Sequence, residues 1–316
     1  MDMSYQVLFC FMLGVFCNLT IRGIIRFNKP PRYPSVIVTR SRAFNVSRPF
    51  PNPRILCYVN TIPATYFTKA QHVKHTWARR CTKTFFFSSK TEETIPVINL
   101  NLTKPESRMH LWSKMRKIVR YVYQYRNDYD YFYKADDDTY LFVENLADEL
   151  SRRNRDEPFM IGHRFRRFQK DGYFSGGAGY VLSRGALKLL IERAIDKHPT
   201  CPTYDEDKED VKMSVCGVAV GVKLLDAFDD LRKNKFNWIS PETAFTRSEW
   251  LAEDVPPADY EIQRLTRIPT SAQPISFHYV RPETMYLIEF ASRFIQLPKP
   301  EHPAENTTEI GAALQS

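Results

Sequence analysis

The segment Lys134-Ala-Asp-Asp-Asp-Thr-Tyr140 sets three carboxylates side by side. Adjacent carboxylates repel, and left unpaired they resist ionisation. A hard divalent cation removes that conflict, since Mg²⁺ or Mn²⁺ takes oxygen ligands and bridges to a diphosphate. Alternate side chains of a strand point the same way, so Asp136 and Asp138 can serve one ion while Asp137 is directed elsewhere. A solvated acidic turn or a helix N-cap cluster is the competing reading. The aromatic strand Tyr129 to Tyr133 that runs into the triplet favours the site.

Three further segments carry chemistry. Tyr173-Phe-Ser-Gly-Gly-Ala-Gly-Tyr180 places Gly176, Gly177 and Gly179 where the backbone can approach a ligand or turn sharply between strands. It has neither the lysine of a Walker loop nor the spacing of a dinucleotide fingerprint. Glu209-Asp210 opens an apolar-periodic stretch of Val211, Val215 and Val218. A carboxylate there either compensates a helix dipole or takes a proton from an attacking hydroxyl. Phe277-His278-Tyr279 offers one imidazole, a ligand if it meets the acidic triplet and a satisfied core residue if it does not.

The elements that must position these residues alternate. Arg54 to Ile62, Thr84 to Ser88, Ile95 to Leu100 and Tyr129 to Ala135 read as strands. Thr68 to Arg79, Met109 to Arg126 and Glu144 to Arg153 read as helices. The clearest helix is Met109 to Arg126, with Trp112, Met115, Val119 and Val122 on one face. A strand ends at Gly179 to Leu182, and Ser183 caps a helix from Arg184 to Ala194. The order predicts an α/β fold with a largely parallel sheet, in which ligands sit beyond the carboxyl ends of the strands. Asp136 to Asp138 lie at such an end.

The 316 residues, 43% hydrophobic and 26% charged, describe a chain able to bury a core rather than a disordered one. A net charge of +9 favours anionic partners, but no helix-turn-helix, zinc-finger or RNA-binding signature supports nucleic acid. Tyr5 to Ile21 forms an apolar run long enough for a short transmembrane helix, which divides the chain into a cytoplasmic tail (1–4), a signal anchor (5–21), a Pro- and Arg-rich stem (22–53), a folded domain (54–297) and a disordered tail (298–316). The basic residues Arg22, Arg26, Lys29 and Arg32 follow the run rather than precede it, against the positive-inside rule, and a cleaved signal peptide is the alternative. Beyond Cys10 and Cys17 the chain has Cys57, Cys81, Cys201 and Cys216, with no zinc-type spacing. Cys57–Cys81 and Cys201–Cys216 is the simplest pairing; four buried free thiols are the other. Asn45, Asn101 and Asn306 head glycosylation triplets.

These segments, in this order, resemble the core 1 β1,3-galactosyltransferases and, more distantly, the Fringe-like β1,3-glycosyltransferases. The likeness runs from Arg54 to about Phe294. It is carried by His72-Val-Lys-His-Thr-Trp77 with Arg80-Cys81, by the acidic triplet, by Gly172 to Ser183, by Glu209-Asp210 and by Ser276-Phe-His-Tyr-Val280. The resemblance implies a GT-A nucleotide-sugar transferase fold, a single mixed, mostly parallel sheet flanked by helices behind an N-terminal transmembrane helix. It implies a single-pass type II Golgi membrane protein with a luminal catalytic domain, Mn²⁺ as cofactor and UDP-galactose as donor. Inverting transfer would go to the 3-hydroxyl of GalNAc O-linked to a glycoprotein, and a homodimer is compatible. Carried over by motif, Asp136, Asp138 and His278 hold the metal and Asp210 is the catalytic base. Glu106, Arg108 and Lys114 contact UDP, and Asp136, Asp137, Gly176 and Gly177 border the donor.

The chain departs from the pattern in four places. Thr61-Ile-Pro63 stands where the family has Thr-Gly-Pro, and Ser107 replaces a glycine. The helix after Asp210 is less apolar. Ala258 to Pro274 lacks the family's aromatic-rich loop and cysteine pair. Since sugars stack on aromatic faces, these departures leave room for a different donor or acceptor, or for a non-catalytic relative that binds client proteins.

Overall fold

The computed structural model describes residues 52–166, 169–246 and 270–294. The strands, in chain order, are β1 (Ile55–Asn60), β2 (Lys83–Ser88), β3 (Val97–Asn99), β4 (Tyr131–Asp136), β5 (Tyr140–Leu141), β6 (Phe159–Gly162), β7 (Arg164–Phe165), β8 (Tyr173–Phe174), β9 (Tyr180–Ser183), β10 (Lys223–Asp226), β11 (Phe236–Asn237) and β12 (Ser276–Phe277). The helices are α1 (Gln71–His75), α2 (Leu111–Tyr123), α3 (Val143–Leu150), α4 (Arg184–Leu189), α5 (Glu209–Ala219), α6 (Pro241–Thr246) and α7 (Pro282–Phe294). A central sheet has the order β10-β6-β9-β4-β1-β2-β3. All its pairings are parallel except those of β9, which runs antiparallel to both β4 and β6. The predicted mixed, mostly parallel sheet is what forms.

Strand β1 explains why the sheet is central. Ile55, Cys57 and Val59 face one apolar layer while Leu56 and Tyr58 face the other, and all five are buried. A strand covered on both faces reads as a continuous apolar run rather than an alternation. The second layer is filled by α2, whose Trp112, Met115, Val119 and Val122 are fully buried as their spacing predicts. Ser183 caps α4, its Oγ accepting from the Ala186 N–H at 3.0 Å.

The helix expected over Thr68 to Arg79 is broken into a wide turn (Tyr66–Ala70), α1 and a tight turn (Trp77–Arg80). Thr76 ends α1 because its hydroxyl donates back to the His72 carbonyl (2.7 Å), an alternative to the helix ladder. Trp77 then turns inward, fully buried, and its indole N–H donates to the Thr139 carbonyl just beyond the acidic triplet (2.8 Å). The helix expected over Glu144 to Arg153 stops at Leu150, where the Ser151 hydroxyl takes the Asp148 carbonyl.

A small second sheet, β11-β12-β5, matters more than its size. Phe277 of β12 pairs with Tyr140 of β5 in antiparallel register, and the Val280 N–H donates to the Asp138 carbonyl (2.9 Å). This pairing brings the C-terminal His278 to the end of β4.

The disulfides join Cys57 to Cys81 and Cys201 to Cys216, across 24 and 15 residues. The second ties the loop before α5 to that helix. Replacing both Cys201 and Cys216 by Ala is expected to cost roughly 3 kcal/mol, the loop-entropy value for such a span. Urea unfolding of the oxidised parent and the double variant measures it; equal midpoints would refute it.

The predicted tail, anchor and most of the stem (1–51), the C-terminal tail (298–316), Asn45, Asn306 and residues 258–269 lie outside the described residues. Among the described residues no helix is long and apolar enough to cross a membrane.

Candidate active site

Strand β4 delivers the acidic triplet to the floor of an open cleft of about 930 Å³, within the usual range for small-molecule sites. The three carboxylates go three ways. Asp136 accepts from Lys134 Nζ (2.8 Å) and Asn60 Nδ2 (3.3 Å). Asp137 turns into the protein, where it accepts from the hydroxyls of Thr61 (2.8 Å) and Thr65 (2.5 Å). Burial pushes its carboxyl up to about 6, against those two hydrogen bonds. Asp138 pairs with Lys69 Nζ (2.9 Å) and lies 3.3 Å from His278 Nε2. Burial would raise the Asp138 carboxyl, but His278 and Lys69 outweigh it and hold it well below the usual carboxylate range.

His278 is set by its neighbours. Its backbone N–H donates to the Asn237 carbonyl (3.0 Å), and its ring stacks on Tyr279 with centroids 3.7 Å apart. The ring also lies against Gly177, where a Cβ would fall 1.9 Å from His278 Cε1; only glycine leaves room for the imidazole. Gly179 meets the other need of the motif, with φ +77° and no space for a Cβ beside the Tyr133 hydroxyl. The glycine segment is therefore a tight turn and a close approach at once.

Gly176 joins this loop to α5. Its N–H donates to Asp210 Oδ2 (3.0 Å), while the Val211 N–H donates to Asp210 Oδ1 (2.8 Å). Both oxygens are thus aimed, and burial raises the Asp210 carboxyl despite these bonds. A carboxylate raised by burial is a stronger base than one in water.

Beneath the loop lies Lys134, which the sequence reading did not single out. It is fully buried in the middle of an apolar strand, and its ammonium reaches Asp136 (2.8 Å), the Gly176 carbonyl (2.9 Å) and Glu209 Oε1 (3.0 Å). Three donors find three partners. Burial would lower the lysine, and the two carboxylates more than reverse that. A charge inside the otherwise apolar run Tyr131 to Ala135 was the signal available for it. Glu209 also accepts from the Tyr180 hydroxyl (3.2 Å), and burial pushes it up to about 7. With a folded value above its ordinary 4.5, Glu209 adds stability that is complete below pH 4.5 and is lost as pH rises through 7. Glu209→Gln is therefore expected to flatten the fall in stability over that window, by up to about 1.4 kcal/mol per pH unit. Thermal melts from pH 4.5 to 8 check it; parallel curves for parent and variant would contradict it.

On the far side of the cleft Glu106 accepts from Ser88 Oγ (2.9 Å) and Ser89 Oγ (2.6 Å) and pairs with Lys114 (2.5 Å). Burial would raise Glu106, but Lys114 and the serines hold it below its ordinary value. Lys114 also donates to the Thr61 carbonyl (2.5 Å). Arg108 is exposed on the rim. The fold thus brings Glu106, Arg108, Lys114, Asp136, Asp137, Asp138, Gly176, Gly177, Asp210 and His278 to one cleft.

Among the described residues no group of three or more His, Cys, Asp or Glu side chains is placed to hold a metal ion. Asp138 and His278 already meet, and Asp136 lies at the same strand end with Lys134 on its carboxylate. An ionised carboxylate beside an imidazole, with a second carboxylate two residues away, is a donor set that suits Mn²⁺. It is the donor types, not their present spacing, that would suit such an ion.

A family model described as Fringe-like matches residues 53–296. The chain is 37% identical over 243 residues to glycoprotein-N-acetylgalactosamine 3-beta-galactosyltransferase 1 of Xenopus laevis, covering 75% of this chain and 65% of that protein. It is 25% identical over 179 residues to the beta-1,3-glucosyltransferase of Homo sapiens, covering 55% of this chain and 34% of that protein. The chain therefore spans less than two thirds of the length of either relative. Among solved structures, a glycosyltransferase involved in the glycosylation of the major capsid of PBCV-1 aligns with TM-score 0.41 and 14% identity, covering 74% of this chain and 100% of that one. The galactosyltransferase LgtC aligns with TM-score 0.40 and 13% identity, covering 77% and 98%. With the family match extending over nearly all of the folded region, the chain belongs to the Fringe-like family.

Proposed function

We propose that this chain is an inverting, Mn²⁺-dependent glycosyltransferase that moves galactose from UDP-galactose to the 3-hydroxyl of O-linked GalNAc on glycoproteins. The observation that carries the reading is the convergence of Asp138 and His278, 3.3 Å apart, in one cleft with Asp210. The frog relative's name supplies the sugars.

In this reading Asp210 takes the proton of the attacking hydroxyl as its oxygen bonds to the anomeric carbon and the bond to UDP breaks. The departing UDP keeps the electron pair. One displacement inverts the centre and needs no covalent intermediate. Lys69, Lys114 and Arg108 lie where cations offset the charge of the leaving diphosphate. Mn²⁺, when bound by Asp136, Asp138 and His278, would add Lewis-acid stabilisation of the same charge. The catalytic domain would span 54–297, behind a type II Golgi anchor at 5–21. The two disulfides support an oxidising lumen, and the enzyme would act alone or as a homodimer.

Product formation from UDP-galactose and a GalNAc-threonine glycopeptide, with Mn²⁺ and with EDTA, tests this. Transfer that EDTA leaves untouched, or no transfer at all, refutes it. The 25% identical glucosyltransferase relative makes UDP-glucose the second donor to assay.

A further inference from the structure

The expected aromatic loop before Phe277 is replaced in sequence, yet the cleft has an aromatic wall built from other elements. Phe165 of β7 pairs with Tyr173 of β8 across the hairpin, their rings 5.6 Å apart. Trp238, directly after β11, closes on Phe165 edge to face with centroids 5.6 Å apart. His163 lies behind both, 4.9 Å from the Phe165 ring and 6.5 Å from that of Trp238. It donates its Nδ1–H to the Phe236 carbonyl (3.0 Å), which fixes the tautomer. Its Nε2 is then a buried hydrogen-bond acceptor without a protein partner among the described residues. Phe165, Tyr173 and Trp238 all line the cleft, and Phe165 and Trp238 remain half-buried rather than sealed in the core.

The wall stands on a particular side. The charged groups read as gripping the nucleotide are Lys69 after β1, Glu106 and Arg108 before α2, Lys114 of α2 and the acidic end of β4, with Gly176 and Gly177 bordering the donor from the turn before β9. The aromatics rise from the β6 end and the hairpin after it, on the other flank of β4. The chain that carries Tyr173 continues within three residues to Gly176, whose N–H holds Asp210. An apolar surface that adjoins the base, away from the diphosphate groups, is where the attacking molecule must rest. The C–H face of a pyranose suits such a surface, since aromatic faces carry negative charge density and polarised C–H groups carry the opposite sign.

We infer that Trp238 and Phe165, backed by Tyr173, form the subsite for the sugar acceptor, stacking the apolar face of its ring so that a hydroxyl meets Asp210. The assignment rests on the proposed transferase reading and deepens it. Trp238 supplies, from a different part of the chain, an aromatic surface that the aromatic-poor stretch 258–274 does not offer.

Two measurements on the full chain test this. Initial rates are read for parent, Trp238→Ala and Trp238→Phe with UDP-galactose and the α-benzyl glycoside of GalNAc. Stacking predicts that KM for the glycoside rises about tenfold or more in Trp238→Ala, equivalent to about 1.4 kcal/mol. Trp238→Phe should recover most of it, and KM for the donor should change less than about twofold. Saturation-transfer NMR with methyl α-GalNAc is read on the same proteins without donor. Binding to the parent that is lost in Trp238→Ala upholds the subsite even if the parent transfers no galactose, in which case only the transferase reading falls. Unchanged glycoside KM in an active Trp238→Ala, or no sugar signal in the parent, overturns the subsite.

Discussion

Asp210→Asn is expected to lower kcat by about 10²- to 10⁴-fold, the usual contribution of a positioned general base, while the Kd for UDP with Mn²⁺ stays within about twofold. The asymmetry follows from geometry. Asp210 sits at the start of α5, held by the N–H groups of Gly176 and Val211, and none of its hydrogen bonds goes to Asp138, His278 or Lys114. Asn keeps one oxygen to accept from one of those N–H groups but turns its amide toward the other. A small loss of melting temperature is therefore expected alongside the catalytic loss. Binding by calorimetry and turnover by UDP release, read on the same preparation, separate the two. Turnover equal to the parent's would remove Asp210 from the mechanism.

Asp138→Asn should produce the opposite split. Asp138 is the carboxylate that both Lys69 and His278 address. Neutralising it removes the anionic partner of both and the hard oxygen that would hold Mn²⁺. Mn²⁺-dependent affinity for UDP is expected to fall by at least about 100-fold, at or beyond the upper end of losses on removing a supporting group from a metal site. The affinity measured in EDTA should be nearly unchanged. The side chain is partly exposed and the Lys69 pair lies near the surface, so the fold should survive. The comparison is a UDP titration with and without Mn²⁺ for each protein. A variant that gained as much from Mn²⁺ as the parent does would show that the ion, if any, sits elsewhere.

Much of this architecture could be read from local pattern. Helix α2 announces itself because Trp112, Met115, Val119 and Val122 repeat at helical spacing and pack against one sheet face. The β4 strand and its acidic end were legible for the same reason, as was the cap at Ser183. Local rules failed where a side chain competed with the backbone. The Thr76 hydroxyl ends α1 early because it takes the His72 carbonyl, and propensity alone does not foresee that choice.

The site was legible in its parts but not in its assembly. His278 lies 140 positions from Asp138 in sequence, and their meeting depends on the short β5–β12 pairing, too brief for any periodic signal. The Lys134 hub was hidden because a lysine in a strand ordinarily points to water. Its burial is tolerable only because Asp136 and Glu209, from separate elements, both reach it. Trp238 escaped notice because it lies outside every recognised motif, and its neighbours Phe165 and Tyr173 join it only through the β7–β8 hairpin and the end of β11.

Strand polarity has a consequence for how this cleft could have been built. In an all-parallel sheet, the loop leaving a strand faces the ligand and the loop entering it faces away. Because β9 runs against β4, its entering segment, the glycine turn, arrives at the same rim as the departing acidic residues. One inverted strand thus puts two separate stretches of chain, 136–138 and 175–179, face to face at one rim. Turning that strand over would carry Gly177 to the opposite edge and strip the His278 imidazole of its close contact with that glycine.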